Sequence, residues 1–362
     1  MRRSQGENGY AYLLALLVAA FAVVHFVINV FLGVHIDEAC WWLLSKRLSA
    51  GYFFHPPFIA FELAFLAKLF GDSSAALRLG SLVFVSASLP LFYLLCMEFF
   101  GDRKRAFHAT LVLSLLPITN YWLMVANQDA PFIFFWLLTV LLAWRAIRGE
   151  RSYYWYLAGL SSGLLMLCKL QGALIFLGLL LFLATRREER AWLKRKEPYL
   201  AFLIVALMFI PTLLWYARHD FQPIIYQLSN RPGFVKHGFF DYMLKIIKHV
   251  GWEMMVLTPF VYLLSIFGMV YHGYLGFKKR ERVSSYLFWL SATVIVFFTI
   301  TGGPPYWSFP GHIISLLAGV ASLPLLMEKT ASRFLARWWK PAAVVLCMVI
   351  PLLASSYVIA FA

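Results

Sequence analysis

Apolar run after apolar run, each near the length that crosses a bilayer, limits what this chain can fold into more than any other feature. A helix rises about 1.5 Å per residue and the hydrocarbon layer is about 30 Å thick, so about 20 apolar residues suffice for one crossing. Eleven such runs are read, near residues 11–33, 75–99, 107–126, 130–147, 153–168, 170–185, 199–217, 252–271, 286–301, 311–327 and 341–361. Of 362 residues, 62% are hydrophobic and 14% charged, against about a quarter charged in soluble domains. The expectation is an all-α polytopic membrane protein, one membrane domain over residues 1–362 with no separate soluble C-terminal domain.

Charge placement orients the runs. The net charge of +15 would suit a nucleic-acid binder if it lay on one face. Instead, 22 of the 32 Lys and Arg residues fall at Arg2 and Arg3 and in "GDRKR", "RAIRGER", "RREERAWLKRK", "KKRER" and Lys329 to Lys340, on alternate connections. Lys and Arg mark cytoplasmic loops, so the N-terminus is expected in the cytoplasm, the intervening segments outside, and nucleic acid is not expected as a partner. Cys40, Cys96, Cys168 and Cys347 form no CxxC pair and signal neither a disulfide framework nor a zinc site. The basic N-terminus followed by a long apolar run reads as a retained first helix.

Residues 56–70, "PPFIAFELAFLAKLF", are short for a span and carry Glu62 and Lys68. Counting them as one would invert every later connection, so they read as an interfacial helix within a first outer segment, residues 37–72. A second outer segment, residues 217–251, mixes turn formers with an amphipathic stretch.

On the expected outer side the chain collects Asp37 and Glu38 at the end of the first run, His55 in "YFFHPPF", Asp129 in "NQDAP", Lys169 in "CKLQG", Arg218 in "ARHDF" and Arg231 in "SNRPG". Ionisable groups at a membrane boundary are costly unless paired or hydrated, so a set on one side points to a polar cavity. Each also has a plain structural reading. Asp37 and Glu38 suit a helix start, His55 a turn before two prolines, Asp129 a helix cap, and Lys169 and the arginines contact with headgroups. In the loop "TGGPPYWSFPGH", Tyr306 and Trp307 suit stacking on a sugar or an aromatic belt, and His312 is a further candidate.

The order of three segments carries a resemblance: "DEACWWLLSKRLSAGYFFHPPFIAFELAFLAKLFG", then "NQDAP", then "LMLCKLQGAL". Together they resemble the dolichyl-phosphate-mannose-protein mannosyltransferase-like family, which includes bacterial lipid A aminoarabinose and galacturonic acid transferases. The resemblance implies a GT-C membrane fold and transfer of a sugar from a polyprenyl phosphate to an envelope acceptor, lipid A or another glycolipid, on the noncytoplasmic side of the bacterial inner membrane. Asp37 matches the first-loop acid, Glu38 its neighbour and Asp129 the second-loop acid. His55 stands where many lipid A transferases have Lys in "KPP", a departure toward an "HPP" subgroup.

These expectations combine into a mechanism in which Asp37 takes the acceptor proton, the sugar inverts, and Lys169 with Arg218 or Arg231 offsets the charge of the departing phosphate. A divalent cation is left open, because Asp37, Glu38, Asp129 and His55 supply ligand atoms without close spacing. The rival reading, a lipid or solute transporter, would call for matched halves and a site near the midplane. Neither is visible in the sequence.

Overall fold

The structure is a computed structural model that describes residues 2–229 and 238–329, and among these it contains helices and loops without strands. Fifteen α-helices follow one another: α1 (Arg2–Phe31), α2 (Ile36–Ser45), α3 (Phe58–Phe70), α4 (Ser74–Phe100), α5 (Arg103–Leu115), α6 (Pro117–Met124), α7 (Asp129–Ile147), α8 (Tyr153–Cys168), α9 (Ala173–Thr185), α10 (Lys196–Arg218), α11 (Gln222–Ser229), α12 (Phe239–Leu257), α13 (Pro259–Lys278), α14 (Arg282–Thr301) and α15 (Phe309–Lys329). Six described segments, within α1, α4, α7, α10, α13 and α14, are long and apolar enough to cross a membrane. This is a multi-pass membrane protein.

Two expected spans are rearranged, each at a proline. The run 107–126 divides into α5 and α6 because Pro117 has no N–H and keeps Leu116 out of helical geometry, at φ −65° and ψ 140°. The Asn120 amide donates to the carbonyls of Ser114 and Leu116, at 3.0 and 2.8 Å, which bridges the break. The run 252–271 divides at Thr258, φ 69°, before Pro259. The crossing helix is therefore α13, beginning seven residues later than expected, and α12 is an amphipathic helix at the bundle end. The run 341–361 lies outside the described residues.

The basic connections meet at one end. There Glu98 pairs with Arg145 and Arg148, Arg282 pairs with Glu189 at 2.5 Å, and the Arg282 guanidinium and Trp192 indole donate to the Ile147 carbonyl. At the opposite end, α2 and α3 fill the connection between α1 and α4. The Trp42 indole and Lys46 ammonium both donate to Asp72, at 2.7 and 2.5 Å, which ties the two short helices together.

Arg78, in the first turns of α4, organises that end although it lies inside an apolar run. Its guanidinium donates to both oxygens of Glu38, at 2.7 and 2.6 Å, and to the carbonyls of Asn29, Leu32 and Gly33. Glu38 in turn accepts from the main-chain N–H of His35 at 2.8 Å and of Ala126 at 2.7 Å. The two side chains are 1% and 2% exposed, so their cost of burial is offset only because every charged atom is bonded.

Removing one partner would leave the other charge buried and alone. Arg78→Leu is expected to destabilise the protein by about 3–5 kcal/mol, and Arg78→Leu with Glu38→Leu by less than the single change. Thermal unfolding in detergent, followed by tryptophan fluorescence, checks the order; an Arg78→Leu protein melting with the wild type would refute it.

Candidate active site

The site is built where α2, the 125–129 loop, the α8–α9 break and the α14–α15 loop converge. Asp37 lies in the first turn of α2. The imidazole of His35 caps that helix by accepting from the Asp37 N–H at 3.2 Å, and the Asp37 side chain is 66% exposed. Glu38, one residue on, is turned inward to Arg78. The adjacent acids thus part company: one carboxylate meets solvent and the other joins the fold.

Asp129 begins α7, but it is not the cap. Asn127 Oδ1 accepts from the N–H groups of Asp129 and Ala130, at 2.9 and 3.3 Å, leaving the Asp129 carboxylate for another partner. That partner is Lys169, whose ammonium donates to Asp129 Oδ1 at 2.7 Å, with side-chain exposures of 3% and 7% for lysine and aspartate. Lys169 follows α8 in extended geometry, φ −161° and ψ 135°. The break between α8 and α9 therefore holds the ammonium deep in the protein, not at a headgroup.

The α14–α15 loop closes over this pair. The Lys169 ammonium lies 4.7 Å from the Trp307 ring centre and 5.2 Å from that of Tyr306, within cation–π range. Burial pushes the Tyr306 hydroxyl above its ordinary pKa, and the charges of Asp129 and Asp37 push the same way.

Beside Lys169 opens a cleft of about 260 Å³. His55, Lys169, Gln171, Gln227 and Thr301 supply its polar lining, while Leu170, Leu174, Phe297 and Phe298 are among its apolar walls. The Gln227 amide donates to the Phe54 carbonyl at 3.0 Å, and the His55 ring lies 6.0 Å from that of Trp41. The loop before His55 packs closely on α10: a Cβ on Gly51 would stand 2.8 Å from the Trp215 ring.

Asp37, His55, Asp129, Lys169, Tyr306 and Trp307 are thus assembled at one end, whereas three other candidates are placed elsewhere. Glu38 is buried against Arg78. Arg218 is exposed and is not among the cleft's lining residues. His312 is buried, bonded to Ser265 at 2.7 Å and 3.6 Å from Glu253. Arg231 lies outside the described residues. Among the described residues no three His, Cys, Asp or Glu side chains are grouped to hold a metal ion, since Asp129 is engaged by Lys169 and Glu38 by Arg78.

Lys245 of α12 was not singled out by the sequence reading. Its ammonium lies 3.5 Å from the carbonyl of Thr301, a cleft residue, over Gly302. At φ 73°, and with a would-be Cβ 3.0 Å from the Lys245 nitrogen, position 302 has space only for hydrogen. Burial lowers the Lys245 pKa. The amphipathic period of α12 was the available signal, but it does not say which lysine reaches the Thr301 carbonyl.

Solved structures share this arrangement of helices. ArnT from Cupriavidus metallidurans bound to undecaprenyl phosphate matches with a TM-score of 0.63 at 18% identity, over 85% of this chain and 59% of that one. At that identity the likeness shows a shared fold. The Archaeoglobus fulgidus oligosaccharyltransferase in complex with Zn and sulfate matches with a TM-score of 0.63 at 15% identity, over 95% of this chain and 53% of that one. Residues 54–215 match the model of the dolichyl-phosphate-mannose-protein mannosyltransferase family. The lipid A galacturonosyltransferase RgtD of Rhizobium johnstonii is 28% identical over 192 residues, which are 51% of this chain and 39% of that protein. The chain spans well under two thirds of the length of each.

Among the described residues, a further acid near this end has a buried oxygen without a hydrogen-bond partner. Glu62 of α3 packs against α4 where Gly80 leaves room, and its Oε2 has no hydrogen-bond partner. Burial pushes its pKa up to about 8. A carboxyl with a raised folded pKa contributes full stability below the unfolded value near 4.5 and loses it as pH rises toward 8. Glu62→Gln should therefore raise the melting temperature over wild type at pH 8 and change it little at pH 4.5. Parallel melting curves across that range would contradict the assignment.

Proposed function

We propose that this protein is a membrane glycosyltransferase that moves a sugar from a polyprenyl-phosphate donor to an envelope acceptor, lipid A or another glycolipid, at the noncytoplasmic face of the bacterial inner membrane. The N-terminus would then be cytoplasmic and the end bearing α2 and α3 periplasmic, as the basic connections at the other end support. One observation carries the reading: a buried cation, Lys169, lines an apolar-walled cleft, with Asp129 bonded to its ammonium and the Tyr306 ring beside it. A charged phosphate on an isoprenoid chain needs that combination. A transporter would place its site nearer the midplane.

Polyprenyl phosphate is a competent leaving group, so the chemistry calls mainly for an acceptor base and for compensation of phosphate charge. Asp37, exposed and close enough to influence the Tyr306 hydroxyl, is the proposed base. It takes the acceptor's hydroxyl proton as the oxygen bonds to the anomeric carbon and the bond from that carbon to phosphate oxygen breaks. Attack from the face opposite the leaving group inverts the sugar. Lys169 and Lys245 supply the phosphate charges, with His55 as a further donor at the cleft. Lys245 is proposed for this role beside the Arg218 or Arg231 assigned from sequence. Tyr306 and Trp307 are proposed to face the sugar.

The test is transfer of radiolabelled sugar from a panel of polyprenyl-phosphate donors into envelope lipid by purified protein. Asp37→Asn should lower the rate by about 10²–10⁴-fold with unchanged melting. Equal transfer by both proteins would remove Asp37 from the chemistry. Lys245→Gln should raise the donor KM, and Arg218→Gln should leave it unchanged; the reverse result would return the phosphate role to Arg218.

A further inference from the structure

The two proposed binding functions meet in one contact that cannot stay as it is during turnover. Lys169 lines the cleft, and Asp129 lies behind it, not among the lining residues. Their 2.7 Å bond is buried, and the aromatic faces of Trp307 and Tyr306 cover the ammonium. As it stands the pair is neutral. A phosphate entering the cleft would bring a second anion to the same ammonium, facing Asp129 across it, and like charges sharing a low-dielectric site disfavour each other.

We infer that Asp129 sets donor affinity and binding order by competing with the donor phosphate for Lys169. This rests on the proposed role of Lys169 as a phosphate ligand. Before the donor arrives, Asp129 occupies the ammonium, which keeps the cation compensated in an apolar setting. When phosphate draws the ammonium toward the cleft, the Asp129 carboxylate loses its charge partner and becomes an acceptor for a new hydrogen-bond donor. The incoming acceptor's hydroxyls are such donors. Acceptor binding is thereby coupled to donor occupancy, and the site stays closed to the acceptor until a sugar is in place.

This makes a prediction opposite in sign to that for an ordinary binding residue. Asn at position 129 keeps the shape and removes the competing charge. Its main-chain N–H still bonds Asn127, which already caps α7, so the helix start is retained. Binding of undecaprenyl phosphate to the full chain in detergent micelles, by calorimetry, should tighten on the order of tenfold in Asp129→Asn, a change of about 1.4 kcal/mol. It should weaken in Lys169→Gln. In transfer assays Asp129→Asn should lower kcat and the donor KM together, and donor preincubation should no longer be needed for acceptor binding. Asp129→Ser, tested alongside, should tighten binding in the same direction and guards against misfolding of one variant.

Unchanged or weaker binding by folded Asp129 variants, with normal wild-type binding, would overturn the competition and leave the proposed activity standing. Failure of wild-type protein to bind undecaprenyl phosphate or any other polyprenyl phosphate in the panel would overturn both.

Discussion

The pairing of Arg78 with Glu38 is the interaction on which the site end depends. The end of α1, the start of α2 that follows it and the distant loop before α7 have main-chain groups aimed at one point, and α4 delivers the guanidinium that bonds the end of α1 and the Glu38 side chain directly. Without it, the carbonyls at the end of α1 and the Ala126 N–H would lose partners in a setting where water does not replace them. Asp37 is one residue from Glu38 and Asp129 three residues from Ala126. The spacing of Asp37 and Asp129 is therefore inherited from a contact that neither makes.

A division of labour follows among the charged residues. Pairs at the basic end are partly exposed and numerous, and ion pairs of that kind contribute little each. Among the described residues, the two buried pairs that involve Lys or Arg differ in kind. Arg78 and Glu38 have all their charged atoms engaged by fixed partners and act as a joint. Lys169 and Asp129 are joined directly beside an open cleft, with aromatic rings over the cation, an arrangement proposed to exchange partners.

Much of the site was legible because its residues announce themselves locally. Asp37, Asp129 and Lys169 interrupt or bound apolar runs where charge has no lipid-facing use, and Tyr306 and Trp307 sit in a Pro- and Gly-rich loop. The interfacial reading of residues 56–70 agrees with a 13-residue α3 packed beside α2. What was not legible is long-range. Nothing near Glu38 reveals a partner 40 residues away, and Arg78 looks like a charge at the edge of a span. Lys245 becomes relevant only when α12 lies along the end of α14. Pro117 and Pro259 were readable in principle as breaks, yet apolar composition on both sides of each hid them from a count of spans.

The manner in which Arg78 holds the end of α1 bears on how such a chain tolerates change. Its bonds to residues 29, 32 and 33 go to carbonyl oxygens, which every amino acid carries. The stretch leading from α1 into α2 is thus constrained in length more than in composition. Substitutions there leave the acceptors in place, whereas inserting or deleting one residue would shift all of them out of register with a guanidinium that cannot follow.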